Sequence, residues 1–291
     1  MFGGLLPYHY FRCRNCRFIF QAPIPDEATI ASFYPDSYEI YAETKRSKTK
    51  RLQLAYLKNH KNYKHLKPSF FPSLLSKMSP ALGRTNAPMF RGKGRLLDFG
   101  CGNGSFMKKM IAFGWSAQGI EFSSVGVGVC HEQGLNVHHG NLLSAPFPDN
   151  SFDLITMRHV IEHVPNPSET LKKAAALLDR GGFLFVETPN SQALGRSIFN
   201  SGWYANEVPR HLCLFDSENL EQLGMSVGLE LVNAEASTTP KLFLNSLDYA
   251  LGRRTMGLKR SQIFRMLAKV YVFSARRMKR EDIIHMTFQK S

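Results

Sequence analysis

Apolar residues along this chain fall into short runs and spaced stripes that predict alternating strands and helices. Leu96, Leu97 and Phe99 make a compact run of the buried-strand type, and SFMKKMIAFG after it has the composition of a helix. Ala117 to Ile120 predicts the next strand, followed by DLITM (153–157) and GFLFVETP (182–189). A helix over 167–179 is marked by Pro167, with Ser168 as a cap, and is stopped by Gly181-Gly182. A helix over 216–226 leads to a strand at 229–235, and DIIHMTFQK (282–290) alternates as a last strand should. Outside this alternation lie a helix over about 46–66 and the segment 259–280. In the latter, Ile263, Met266, Leu267, Val270 and Phe273 recur near a period of 3.6. With 291 residues, 43% of them hydrophobic, the pattern describes one sizeable α/β domain carrying appendages.

Chemistry enters at LLDFGCGNG (96–104). Gly100, Gly102 and Gly104 follow the strand directly, and glycine at a strand-to-helix turn lets backbone approach a ligand with no Cβ between. Glu121 closes the next strand about twenty residues on, where a carboxylate can accept hydrogen bonds from both hydroxyls of a ribose. The unit reads as a nucleoside-binding half. A dinucleotide fingerprint would be G-x-G-x-x-G, whereas the spacing here is G-x-G-x-G with Asp98 two residues ahead. An acid facing the loop suits an amine-bearing ligand and opposes a pyrophosphate, which argues against a nicotinamide-dependent oxidoreductase.

The loop, with PFPDNSFDLITM (146–157), RHVIEHV (158–164), the Gly181-Gly182 turn and FLFVETPN (183–190) in order, resembles the class I S-adenosylmethionine-dependent methyltransferases over roughly residues 95–235. The resemblance implies a Rossmann-like sheet of seven mostly parallel strands with an antiparallel last strand. It implies S-adenosylmethionine as methyl donor, with Gly100, Gly102 and Gly104 beside its methionine part and Asp98 near its amino group. Glu121 would lie on the ribose, Phe122 on the adenine face, and Asn141 and Leu142 at the adenine; Asn141 reads equally as a plain turn residue. Residues 190–215 would form the substrate wall, and basic helices over 241–280 would be inserted between the last two strands.

Methyl transfer from a sulfonium needs an aligned nucleophile and, for oxygen or nitrogen, often a base. His211 in the substrate wall and His159 after the fourth strand are the candidates, each against a plain structural role. Glu162 and His163 read as structural hydrogen-bonding groups. Some quinone-pathway O-methyltransferases hold a divalent ion with acids of this region, but the acids that would complete such a site are not evident, so no metal is assigned. The expected acceptor is a small molecule or a glycan or lipid-linked precursor, methylated at oxygen. An RNA methyltransferase and a non-catalytic scaffold are the alternatives.

Charge is segregated. Residues 41–95 carry 14 basic side chains and one acidic; residues 241–291 carry 12 and 3; residues 96–240 carry 8 and 15. The overall +14 therefore belongs to flanks, whose readings are solvated helix faces, an anionic acceptor or anionic membrane surface, or nucleic acid. Residues 1–40 form an N-terminal extension, and 41–94 a basic helical linker ahead of the domain at 95–291. The extension holds CRNC (13–16), half of a tetrahedral zinc set. It resembles the second half of a zinc-ribbon leader found on some bacterial methyltransferases of glycan pathways, where Pro23, Pro25, Phe33, Tyr34 and Tyr38 match the part beside the active site. With the first cysteine pair missing, zinc at Cys13 and Cys16 is not expected. Five scattered cysteines, no secretory pattern at the start and no apolar run of about eighteen residues predict a cytoplasmic protein, with peripheral contact at the inner membrane face as the membrane reading.

Overall fold

The structure is a computed structural model that describes residues 9–34, 51–79, 81, 85, 87–252 and 261–291. Tyr38, the start of the helix expected from about 46, and residues 253–260 of the basic insertion lie outside the described residues.

Ten strands and ten helices are described. They are β1 (His9–Arg12), β2 (Ile19–Ala22), α1 (Glu27–Ser32), α2 (Arg51–His60), α3 (Phe70–Met78), β3 (Arg95–Phe99), α4 (Ser105–Ala112), β4 (Ser116–Glu121), α5 (Ser124–Glu132) and β5 (Val137–His139). After them come β6 (Phe152–Arg158), α6 (Pro167–Leu177), β7 (Leu178–Pro189), α7 (Leu194–Phe199), β8 (Cys213–Leu214), α8 (Ser217–Ser226), β9 (Leu229–Ser237), α9 (Pro240–Ala250), α10 (Gln262–Arg277) and β10 (Ile283–Lys290). Seven strands form one sheet in the order β5-β4-β3-β6-β7-β10-β9. β3, β4 and β5 pair in parallel, while β10 runs antiparallel to β9. The Rossmann-like sheet with an antiparallel last strand is thus present, and α9 and α10 lie between β9 and β10 in sequence.

The chain divides into two compact units. One comprises residues 36–156 and 176–183. Its strand β3 is buried from Leu96 to Phe99, because parallel strands covered on both faces read as continuous apolar runs. Asp153, nearly buried, receives Arg95 through both carboxylate oxygens (2.8 and 3.2 Å) and the backbone N–H groups of Lys93 and Arg95. Arg95 also reaches Asp179 at 2.5 Å. The expected helix over 46–66 stops at His60, since Asn62 turns left-handed (φ +63°) and drives Tyr63 inward. Fully buried Tyr63 accepts from Trp115 Nε1 (2.9 Å) and donates to Pro88 O, while His65 Nε2 meets Phe113 O at 2.8 Å. Part of the basic linker is therefore anchored by aromatic packing. α6 ends at Leu177, two residues early, because the N–H groups of Asn150 and Ser151 take its last carbonyls, at Ala176 and Leu177. The strand then runs straight through the two glycines.

The other unit comprises residues 1–35, 157–175 and 184–291. Here β1 and β2 form a hairpin, and β2 continues onto β8 as a second, three-stranded sheet. β8 is only two residues long and has no sequence pattern of its own. Buried Asp282 gathers Trp203 Nε1 (3.0 Å), Tyr271 Oη (2.7 Å) and Thr238 Oγ1, tying the 203 segment and α10 to the start of β10.

Candidate active site

In the first unit the loop after β3 is held by the neighbouring strand: the N–H groups of Gly100 and Cys101 donate to Ile120 O at 2.8 and 3.1 Å. All three loop glycines have positive φ. Gly104 is the demanding one. At φ +72° a Cβ would lie 2.2 Å from Leu135 Cδ1 and 3.0 Å from Cys130 Sγ, so the turn closes only without a side chain. Cys101 and Cys130 belong to the apolar cluster behind the loop with Met107, Val127, Leu135 and Val137.

Two carboxylates face this loop's neighbourhood. Asp98, 4% exposed, accepts from Thr156 Oγ1 at 2.7 Å. Glu121 accepts from Gly102 N through Oε2 (2.8 Å) and from Ser123 N through Oε1 (2.9 Å). Burial pushes the Glu121 carboxyl up, and these backbone donors pull it back. An ionised carboxylate offers about four acceptor positions, so the two bonds leave capacity for a pair of vicinal hydroxyls. Phe122 follows, partly exposed. Asn141 caps its own turn, Oδ1 accepting from Ser144 N at 2.9 Å, and Leu142 is buried. The glycine loop and the two buried acids fit a donor bearing an amine and a ribose.

In the second unit a cluster of histidines and acids gathers. His159 follows β6 in the left-handed region (φ +55°), a conformation strained for a residue with a Cβ. Its N–H donates to Glu187 O at 2.8 Å, which holds the strained turn. The ring lies between two carboxylates, Nδ1 3.3 Å from Glu162 Oε1 and Nε2 3.1 Å from Glu187 Oε1, with 46% of the side chain exposed. Burial alone would lower this imidazole, but Glu162 and Glu187 outweigh it and push it up to about 10. Glu162 is wholly buried; burial raises it, but His159 and the neighbouring His163 and His211 hold it down at about 2. Its other oxygen accepts from Thr188 Oγ1 at 2.8 Å. Glu187 also meets His285 Nδ1 at 3.1 Å and, its burial outweighed by His159 and His285, stays well below the usual carboxylate range.

His163 and His211 meet edge to face, with ring centroids 4.6 Å apart. Burial, and after it the neighbouring His211, push His163 down to about 4. Its Nδ1 lies 2.9 Å from Tyr34 Oη and 3.0 Å from Arg210 O. His211 is 3% exposed, with Nδ1 2.9 Å from Ala205 O and Nε2 3.1 Å from Glu207 Oε2. Glu162, His163 and His211 bring ligand-type atoms within 4.8 Å of one another. Two imidazoles and a carboxylate are a donor set that can hold a divalent ion, and in the structure each of the three also makes hydrogen bonds, Glu162 with Thr188, His163 with Arg210 and His211 with Glu207. Cys13 and Cys16 are free thiols on the β1–β2 turn, and the Cys13 thiol is drawn down by the backbone N–H groups of Cys16 and Asn15. They offer two sulfurs, half of a tetrahedral set.

The structure thus joins His159 to Glu162, and His163 to His211. The leader resemblance set Tyr34 beside an active site, but sequence reasoning missed Glu187, Glu207 and His285 as members of this cluster. Glu187 alone left a signal, as the one acid inside the apolar run FLFVETP.

The methyltransferase domain family matches residues 63–234, more than half of the chain. The match begins at Tyr63, the aromatic anchor of the linker. This chain is a class I S-adenosylmethionine-dependent methyltransferase. Among relatives of the methyltransferase, a ubiquinone biosynthesis O-methyltransferase from Azoarcus sp. is 29% identical over 175 residues, 55% of this chain and 73% of that one. Another, from Paraburkholderia phymatum, is 35% identical over 104 residues, 33% of this chain and 44% of the relative. The chain thus spans under half the length of the second. An S-adenosylmethionine-dependent methyltransferase from Archaeoglobus fulgidus shares the fold at a TM-score of 0.50 and 18% identity, covering 75% of this methyltransferase and 92% of that chain. Among the described residues no helix is long and apolar enough to cross a membrane.

Proposed function

We propose that this methyltransferase moves the methyl group of S-adenosylmethionine onto a hydroxyl oxygen of a small-molecule acceptor. Asp98, Gly100, Gly102, Gly104, Glu121, Phe122, Asn141 and Leu142 hold the donor. The O–C bond forms as the S–C bond breaks, the electron pair stays on sulfur, and the enzyme's task is alignment. O-methylation is the reaction named for the relatives.

The reading is carried by one observation: the glycine loop, where a Cβ at Gly104 would clash, shares one unit with the two buried acids Asp98 and Glu121. His159, half exposed, is clamped between two carboxylates that keep it protonated at neutral pH. An imidazolium has no lone pair with which to take a proton. Both its ring nitrogens are engaged by ionised Glu162 and Glu187, so in this reading the ring keeps those two acids ionised and in place, and the acceptor hydroxyl's proton leaves to solvent as the O–C bond forms. His211, buried with both ring nitrogens engaged, supports the wall around it.

Labelled methyl donor offered with phenolic acceptors, and separately with sugar nucleotides, tests substrate class. Label on a phenolic oxygen supports the reading; label only on the sugar moves the enzyme to glycan precursors. His159→Gln separates the two roles of the ring. If the ring positions the two acids, the rate of the variant falls by the same factor at every pH. A variant whose half-maximal rate moves to a different pH shows instead that the ring takes part in the acceptor's proton loss.

A further inference from the structure

α10 carries a surface the methyl-transfer reading does not use. Placed at 3.6 residues per turn, its side chains separate into three faces. Ala268, Tyr271 and Ala275 are buried, and Tyr271 is held by Asp282 and packs on Phe243 of α9. Ile263, Met266, Leu267, Val270 and Phe273 fall together on a second face and are 44% to 72% exposed. Arg265, Lys269 and Arg276, all exposed, line the border of that stripe, and Arg277 lies at its C-terminal end. Five adjacent large apolar side chains turned to water on one helix are unusual for a surface that stays solvated.

We propose that α10 is a membrane-docking helix that lies in the interface of an anionic lipid bilayer, its apolar stripe inserted and its cations at the lipid phosphates. The helix is helical and anchored in the fold already, so docking needs no folding on the membrane. Charge selects the occupant. A second copy of this chain would bring the same arginines and lysines against these, whereas an anionic bilayer attracts the whole border at once. The twelve basic and three acidic residues of 241–291 extend the same field. A bilayer also takes an apolar stripe without matching its shape.

The test is flotation of the full chain with vesicles of phosphatidylcholine alone and of phosphatidylcholine mixed with phosphatidylglycerol. Retention on the anionic vesicles is expected to exceed that on neutral ones by roughly tenfold and to fall as salt is raised. Val270→Glu/Phe273→Glu should reduce it to the neutral level, and Arg265→Glu/Lys269→Glu should do so without removing any apolar group. Both pairs are exposed, so unchanged circular dichroism and unchanged S-adenosylhomocysteine binding are expected and serve as the folding control. Equal retention on both vesicles, no retention, or retention indifferent to both pairs overturns the proposal. So does a concentration-dependent dimer in sedimentation velocity that Val270→Glu/Phe273→Glu dissolves, which would assign the stripe to a second copy.

Discussion

The glycine-loop unit and the histidine cluster solve one problem by opposite means: each buries carboxylates, and each must keep them satisfied. Glu121 accepts from the backbone N–H groups of Gly102 and Ser123, and Asp98 from a threonine hydroxyl. Glu162, besides its bond from Thr188, and Glu187 both lie against the His159 imidazole, which itself titrates. Backbone donors keep their protons at any pH a protein survives. The first arrangement therefore holds an acid in place passively, whereas the second sets the charge of its partner and is open to pH.

The sharpest way to break this contrast is steric. Gly104→Val places a branched Cβ at φ +72° against Leu135 and should cost about 4 kcal/mol, abolishing S-adenosylhomocysteine binding together with a fall in melting temperature. Next in size, Glu121→Ala should leave the fold nearly intact yet weaken S-adenosylhomocysteine at least roughly 100-fold, about 3 kcal/mol, read by calorimetry. Glu162→Gln should do the reverse. It leaves His159 short of a buried partner, lowering stability by about 3 kcal/mol in denaturant unfolding while cofactor affinity changes little.

The smallest effect sharpens the comparison most. A ring raised above its ordinary 6.5 to about 10 in the fold contributes stability that is complete below 6.5 and is lost as pH climbs to about 10. Since His159 is half exposed and screened by solvent, that contribution is about 1 kcal/mol. Glu187→Gln should move the His159 titration, followed by NMR, down toward 6.5 and draw the stability loss to lower pH with it. Glu121→Ala should leave that titration where it is. A shift there would mean that the two regions share one electrostatic network.

What could be read in the sequence follows the same division. The residues proposed to hold the donor lie within 98–142 and are marked by glycine spacing and strand ends, because local backbone geometry creates that loop. The cluster draws on residues 34, 159, 162, 163, 187, 207, 211 and 285, joined by tertiary contacts that leave no local period. His159 and His211 were visible as histidines at the right motifs, yet nothing in the spacing revealed that one lies between two acids and the other is buried with both nitrogens engaged. Likewise β8 escaped notice, because two residues paired to a distant hairpin carry no alternation to detect. The helix ends at His60 and Leu177 differ from the expected ones for a related reason: Asn62, whose amide donates to Phe90 O, and the Asn150–Ser151 turn act through three-dimensional contacts.

The left-handed backbone at His159 bears on how this position tolerates change. Glycine adopts that conformation without strain and asparagine nearly so, whereas every other replacement meets it at a cost. In a library of all substitutions at 159, soluble yield should therefore be highest for residues that cannot carry the imidazole's charge. Selection for turnover would then run against selection for folding at a single codon.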